Sequence, residues 1–99
     1  MFAIVMTFDD GSAENVEAGI SHVEDEVLPA LRDASGLQGW WLVDRVGNRR
    51  VSLMVWDNDE HYNTAMAMVQ EARAKDPDRR RPPPSSVGRF EIYGTIGHS

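Results

Sequence analysis

The sequence contains no cysteine, which excludes disulfides, thiol nucleophiles and thiolate metal sites. Long apolar runs are missing too. The longest, Phe2-Ala3-Ile4-Val5-Met6, falls far short of the roughly 20 residues that cross a bilayer, so no membrane partner is expected. The chain does not open on the basic start, apolar stretch and small-residue cleavage site of a secretory signal. Without disulfides to lean on, a cytoplasmic location is the expectation. Basic residues are scarce: 10 Lys and Arg against 16 Asp and Glu leave a net charge of −6, which argues against a nucleic-acid partner. Phosphate-cradling glycine loops, His-x-x-x-His pairs and Gly-x-Ser-x-Gly elbows do not occur in it. No metal site is expected from the spacing of the carboxylates.

What is there is ordinary globular composition, 41% hydrophobic and 26% charged over 99 residues, read as one domain over residues 1–99. Residues 2–8 alternate as a strand with both faces largely apolar. Ser12 is a plausible N-cap, and Val16, Ile20, Val23, Val27, Leu31 and Ala34 then form the stripe of an amphipathic helix running to about Ser35. Pro29 inside it removes a donor near the carbonyl of Asp25 and predicts a kink or break. Gly36 suits the left-handed position past the helix end. Eight of the acids fall within residues 9–33 against one base, Arg32; they read as the solvated face of this helix, or more sharply as an acidic docking surface.

Residues 39–45 and 50–56 form a second and a third strand. A two-residue turn at Gly47-Asn48 or Asn48-Arg49 places Trp40 and Leu42 with Val51, Leu53 and Val55, and Trp41 and Val43 with Met54 and Trp56, whereas a bulged three-residue turn reverses this. Asp57 is expected to cap a second helix, with Glu60 reaching back. Its buried stripe is Tyr62, Ala65, Met66, Val69 and Ala72, and it ends near Lys75. Residues 76–88 read as a loop stiffened by Pro82-Pro83-Pro84. A last strand is expected over residues 89–96. The order β-α-β-β-α-β is the α+β, ferredoxin-like arrangement with an antiparallel four-stranded sheet. Such a sheet, with helices on one side, should be polar on the other. Here both sides are apolar, so a second copy of the chain is expected to cover the free face as a homodimer.

Leu28-Pro29-Ala30-Leu31 followed by Ser35-Gly36-Leu37-Gln38-Gly39, and Leu53-Met54-Val55-Trp56-Asp57-Asn58-Asp59-Glu60, resemble the entry to strand two and the strand-end tryptophan with its acidic cap in the antibiotic biosynthesis monooxygenase-like family of the dimeric α/β-barrel superfamily. The resemblance spans about residues 2–96, and both motifs serve the fold. It implies a dimeric α/β barrel with a ligand pocket in each subunit between helices and sheet. The best-known enzymes of that family oxidise aromatic polyketide intermediates with O₂ and no cofactor; others degrade haem, act on quinols or have no shown activity. The haem-degrading relatives carry an asparagine on strand one and a histidine on the second helix beyond its first turn. This sequence has neither.

Cofactor-free oxygenation needs an electron-rich substrate, a base and a dry pocket. His61, in the first turn of the second helix beside Trp56 and Tyr62, is the candidate base; its alternative is a partly exposed residue near a helix start. His22 reads as a surface residue near Glu26, and His98 sits next to the chain end. Tyr62 is the candidate hydrogen-bonding partner, set against simple core packing. Trp40, Trp41 and Trp56 could each stack on a planar aromatic, with core or dimer interface as the competing role, and Trp40 and Trp56 are the candidate walls for a small hydrophobic or aromatic ligand. Met66, with Met6, Met54 and Met68, offers adaptable lining. Arg79-Arg80-Arg81 reads as a solvated run, or as an anion-binding lid or docking segment joined to the prolines. No cofactor is expected. Two readings stand: a small monooxygenase acting on a polyketide- or quinol-like aromatic, and a non-catalytic dimeric module of the same fold that binds a hydrophobic ligand.

Overall fold

The computed structural model describes residues 1–97; His98 lies outside the described residues. Strand β1, Phe2–Asp9, is rich in β-branched and aromatic residues that favour extended backbone. Ser12 caps helix α1, Ala13–His22, its Oγ accepting the Asn15 N–H at 3.2 Å. The helical arm continues as a π-helical segment, Val23–Val27, and a short helix α2, Leu28–Leu31. This is the answer to Pro29. Its ring excludes the usual bond to Asp25, and the chain widens the preceding turn instead of breaking, the Leu28 N–H donating to the Val23 carbonyl. The helix stops at Leu31 rather than near Ser35, and Gly36 follows with φ +72°.

Strands β2, Leu37–Asp44, and β3, Arg49–Trp56, form a hairpin. Its turn has four residues, 45–48, not two, with Asn48 at φ +53°. Asp44 organises it by accepting the backbone N–H groups of Val46 and Gly47 and the Arg49 guanidinium, which together hold its carboxyl below the usual carboxylate range. Both turn lengths give the same parity, so the expected faces are observed: Trp40 lies opposite Leu53 and Leu42 opposite Val51, while Trp41 lies opposite Ser52.

Helix α3, Asp59–Ala74, is capped by Asn58 rather than Asp57. The Asn58 Oδ1 accepts the His61 N–H at 2.8 Å, which leaves the Asp57 carboxylate free for other partners. Strand β4 is Ser86–Glu91, three residues earlier than expected, so the connector ends before residue 86. The reason is pairing. Ser85 N–H donates to the Thr7 carbonyl at 2.7 Å, which starts the ladder early, and β1 runs out at Phe2 opposite Glu91.

The antiparallel sheet has the order β2-β3-β1-β4, and the helices lie on one face. Phe2, Ile4, Met54 and Trp56 of that face pack on Leu31, Ala65 and Val69 to form the core. The other face presents Val5, Val51, Leu53 and Val55, flanked by Trp40, Leu42 and Phe90, which are 49%, 51% and 56% exposed. No helix among the described residues is long and apolar enough to cross a membrane.

Candidate functional site

Between the helical arm and the sheet lies a cleft of about 690 Å³, within the range typical of small-molecule sites. Its sheet side is built by Met6, Trp41, Ser52 and Met54, all on the helix-facing side by strand register. Ile20, Val23 and Val27 of the arm and Met66 and Val69 of α3 close it from above. The apolar stripe that makes the arm a helix thus splits its duty, Val16 sealing against the sheet, Ile20, Val23 and Val27 facing the cleft, and Leu31 serving both core and cleft.

Pro82-Pro83-Pro84 form one end of the cleft, and Arg81 fixes them there. Arg81 donates to both carboxylate oxygens of Glu26, through Nε at 2.7 Å and Nη2 at 2.6 Å, and also to the carbonyls of Arg79 and Asp76. Arg79 pairs with Asp25 at 3.2 Å. Two arginines of a run that reads as solvated therefore bind the helical arm. Glu26 is correspondingly buried, unlike the exposed acids around it, and the Arg81 hydrogen bonds hold its carboxyl below the usual carboxylate range despite that burial.

His22 lies on the cleft wall, one helical turn before Glu26. Its side chain is 15% exposed, not the surface residue its acidic neighbourhood suggests. Nδ1 is buried without a hydrogen-bond partner and stands 3.9 Å from the Glu26 Oε1. Burial pushes the imidazole below its ordinary value; Glu26 opposes this, while Arg79, Arg81 and Arg73 reinforce it. The ring is therefore neutral near pH 7. At the other end of the cleft Arg50 donates through Nε and Nη2 to Asp10 at 2.6 and 3.1 Å, and its guanidinium lies 4.4 Å from the centre of the Phe8 ring.

The expected site residues separate. Met66 lines the cleft. Trp56 does not: it is completely buried in the core, where Tyr62 packs edge-on against it at 5.5 Å and against Phe2 at 5.8 Å. Trp40 lies on the opposite face of the sheet, so the tryptophan in the cleft is its neighbour Trp41. His61 and Tyr62 do not line the cleft either. The His61 Nδ1 is 2.7 Å from the Asp57 Oδ1, a contact that holds the Asp57 carboxyl below its ordinary range. Sequence reasoning placed His22 at the surface and took Trp40 rather than Trp41 for the wall. The i, i+4 spacing of His22 and Glu26 was a usable signal for the first, and strand parity for the second. No group of three or more His, Asp or Glu among the described residues is arranged to hold a metal ion.

No family model matches the sequence, and no curated protein matches it significantly. Solved structures do match the fold. A monooxygenase of Streptomyces coelicolor, in complex with the ligand nanaomycin D, superposes with a TM-score of 0.67 at 19% identity, over 99% of this chain and 92% of that one. SnoaB, a cofactor-independent oxygenase of Streptomyces nogalater, gives 0.62 at 17% identity, over 98% and 97%. A dimeric ferredoxin-like protein from an uncultured marine organism gives 0.66 at 14% identity, over 98% and 92%. Others with this fold, such as one from Chloroflexus aurantiacus, are provisionally named antibiotic biosynthesis monooxygenases. The chain therefore has the ferredoxin-like fold of the antibiotic biosynthesis monooxygenase structures.

Proposed function

We propose that this chain is a homodimeric monooxygenase that oxidises a hydrophobic aromatic compound, polyketide- or quinol-like, with O₂ and no bound cofactor. The observation that carries the reading is the cleft: apolar over most of its wall, with Trp41 beside it and a neutral histidine in it. Such a site takes up a planar apolar ligand and keeps bulk water from a carbanion. For an anthrone-type substrate the balance is simple. The ring methylene loses two hydrogens and gains one oxygen atom of O₂ as a ketone, and the second oxygen leaves with the two hydrogens as water. The substrate supplies all the electrons.

Dimerisation rests on the apolar sheet face. A contiguous patch containing Trp40, Leu42 and Phe90 costs free energy in water, and a second sheet related by two-fold symmetry is its natural cover. The fold it shares with a dimeric ferredoxin-like protein and with monooxygenases supports the same reading.

Oxygen consumption by the purified protein with anthrone and with a hydroquinone tests the proposal. Uptake above the uncatalysed background, saturating in substrate, is the expected result. A ligand that binds in the cleft without uptake would leave the second reading, a non-catalytic dimeric binding module; that reading draws on His61, whose side chain pairs with Asp57 outside the cleft.

A further inference from the structure

We infer that His22 is the acid–base residue of the cleft: with its Nδ1 turned to Glu26 and Glu26 clamped by Arg81, it accepts through Nε2 the proton of an acidic hydroxyl on the bound aromatic. This deepens the reading proposed above and rests on it.

Three features place the residue. His22 is on the cleft wall, so a ligand there touches it. Its Nδ1 is sealed from water and has no hydrogen-bond partner, so it is uncommitted in the resting protein. Behind that nitrogen, 3.9 Å away and not hydrogen-bonded to it, stands a buried carboxylate fixed by a bidentate guanidinium, whose charge favours the imidazolium once it forms.

The charges around the ring fit a proton moving in from the ligand. Glu26 faces it from its own helical arm, Arg73 from α3, and Arg79 and Arg81 from the connector. In the resting state burial and the three guanidinium groups keep the ring neutral, as a base must be. After transfer the O–H bond is broken and an N–H bond formed. The oxyanion then lies in the field of Arg73 and Arg81, which also line the cleft, and the imidazolium faces Glu26. No redox partner is involved in this step. It converts a phenol or enol into the electron-rich anion that O₂ can oxidise.

Alizarin, a hydroxyanthraquinone whose visible spectrum shifts to the red on ionisation, is the probe. Binding to the intact protein is followed by tryptophan quenching, and ionisation by absorbance, across the ionisation range of the free dye. Bound alizarin is expected to keep its ionised spectrum at least about one pH unit below the free dye, and His22→Gln is expected to bind it in the neutral form. Nitrogen NMR of the wild-type His22 ring gives the same answer without a variant: the imidazolium signature arises on binding. Binding with no ionisation shift, an equal shift in a folded His22→Gln protein, or a His22 ring that stays neutral would each overturn the inference while leaving the cleft as the ligand site. Failure of wild-type protein to bind alizarin would overturn the proposed function itself, and this inference with it.

Discussion

Glu26 and Arg81 are 55 positions apart in the chain, yet two parallel hydrogen bonds of 2.7 and 2.6 Å join them at the cleft. This pair ties the proline-rich connector to the helical arm, and it makes the end wall of the cleft depend on one buried carboxylate.

Acid should loosen that tie in two stages. The folded pKa of His22 is lowered, so the unfolded chain binds more protons just below 6.5, and stability falls as the pH drops from there toward the folded value. Glu26 also has a lowered pKa; its contribution is whole above about 4.5 and is lost on further acidification. Urea denaturation at a series of pH values should show both stages in the wild type. His22→Gln should lack its share of the first, and Glu26→Gln its share of the second.

Arg50 and Asp10 form the other buried pair, with side chains 8% and 6% exposed. Arg50→Met leaves the Asp10 carboxylate without its guanidinium and should cost about 3–5 kcal/mol of stability, measured by urea denaturation. A Cβ on Gly19 would lie 2.2 Å from the Arg50 guanidinium carbon. Gly19→Ala, which alone gains about 1 kcal/mol of helix propensity, should therefore destabilise the wild type and stabilise the Arg50→Met protein.

The adjacent tryptophans should part company in a binding assay. Trp41→Ala removes an aromatic wall of the cleft and should weaken alizarin binding about tenfold, the equivalent of about 1.4 kcal/mol. Trp40→Phe, on the opposite face, should leave the affinity unchanged.

Light scattering should find wild-type protein at twice the mass of one chain. Leu42→Glu places a charge on the apolar sheet face, at its β2 edge beside Val51, and should yield a folded monomer with unchanged far-ultraviolet circular dichroism. A wild-type monomer at micromolar concentration would remove the basis for the dimer.

Most of the architecture was legible because it follows from local periodicity. The 2-residue alternation of β1 to β3 and the helical stripe from Val16 to Leu31 specify the elements and their order, but with both strand faces apolar the face taken by each tryptophan depends on the length of the hairpin turn, which the structure supplies. Boundaries were less legible wherever a distant partner decides them. Strand β4 begins where Thr7 offers a carbonyl to Ser85, a relation 78 positions away that no local pattern announces. The site was hardest to read for the same reason. His22 reads as solvated beside Glu24, Asp25 and Glu26, yet its side chain is 15% exposed next to a Glu26 that Arg81, far along the chain, holds in place. His61 attracted notice through its aromatic neighbours in sequence, which turn into the core instead of toward it.

The π-helical turn has a consequence for how this sequence tolerates change. A turn of that kind holds one residue more than an α-helical one, so losing any one residue from Val23–Val27 would tighten the coil without severing it. The flanks would keep nearly the same facing, because five residues of a wide turn and four of an ordinary one sweep almost the same angle, but the Pro29 ring would then meet the carbonyl four residues before it. Room for that proline, more than the facing of Val16 and Gly19, is what the extra residue of this stretch supplies.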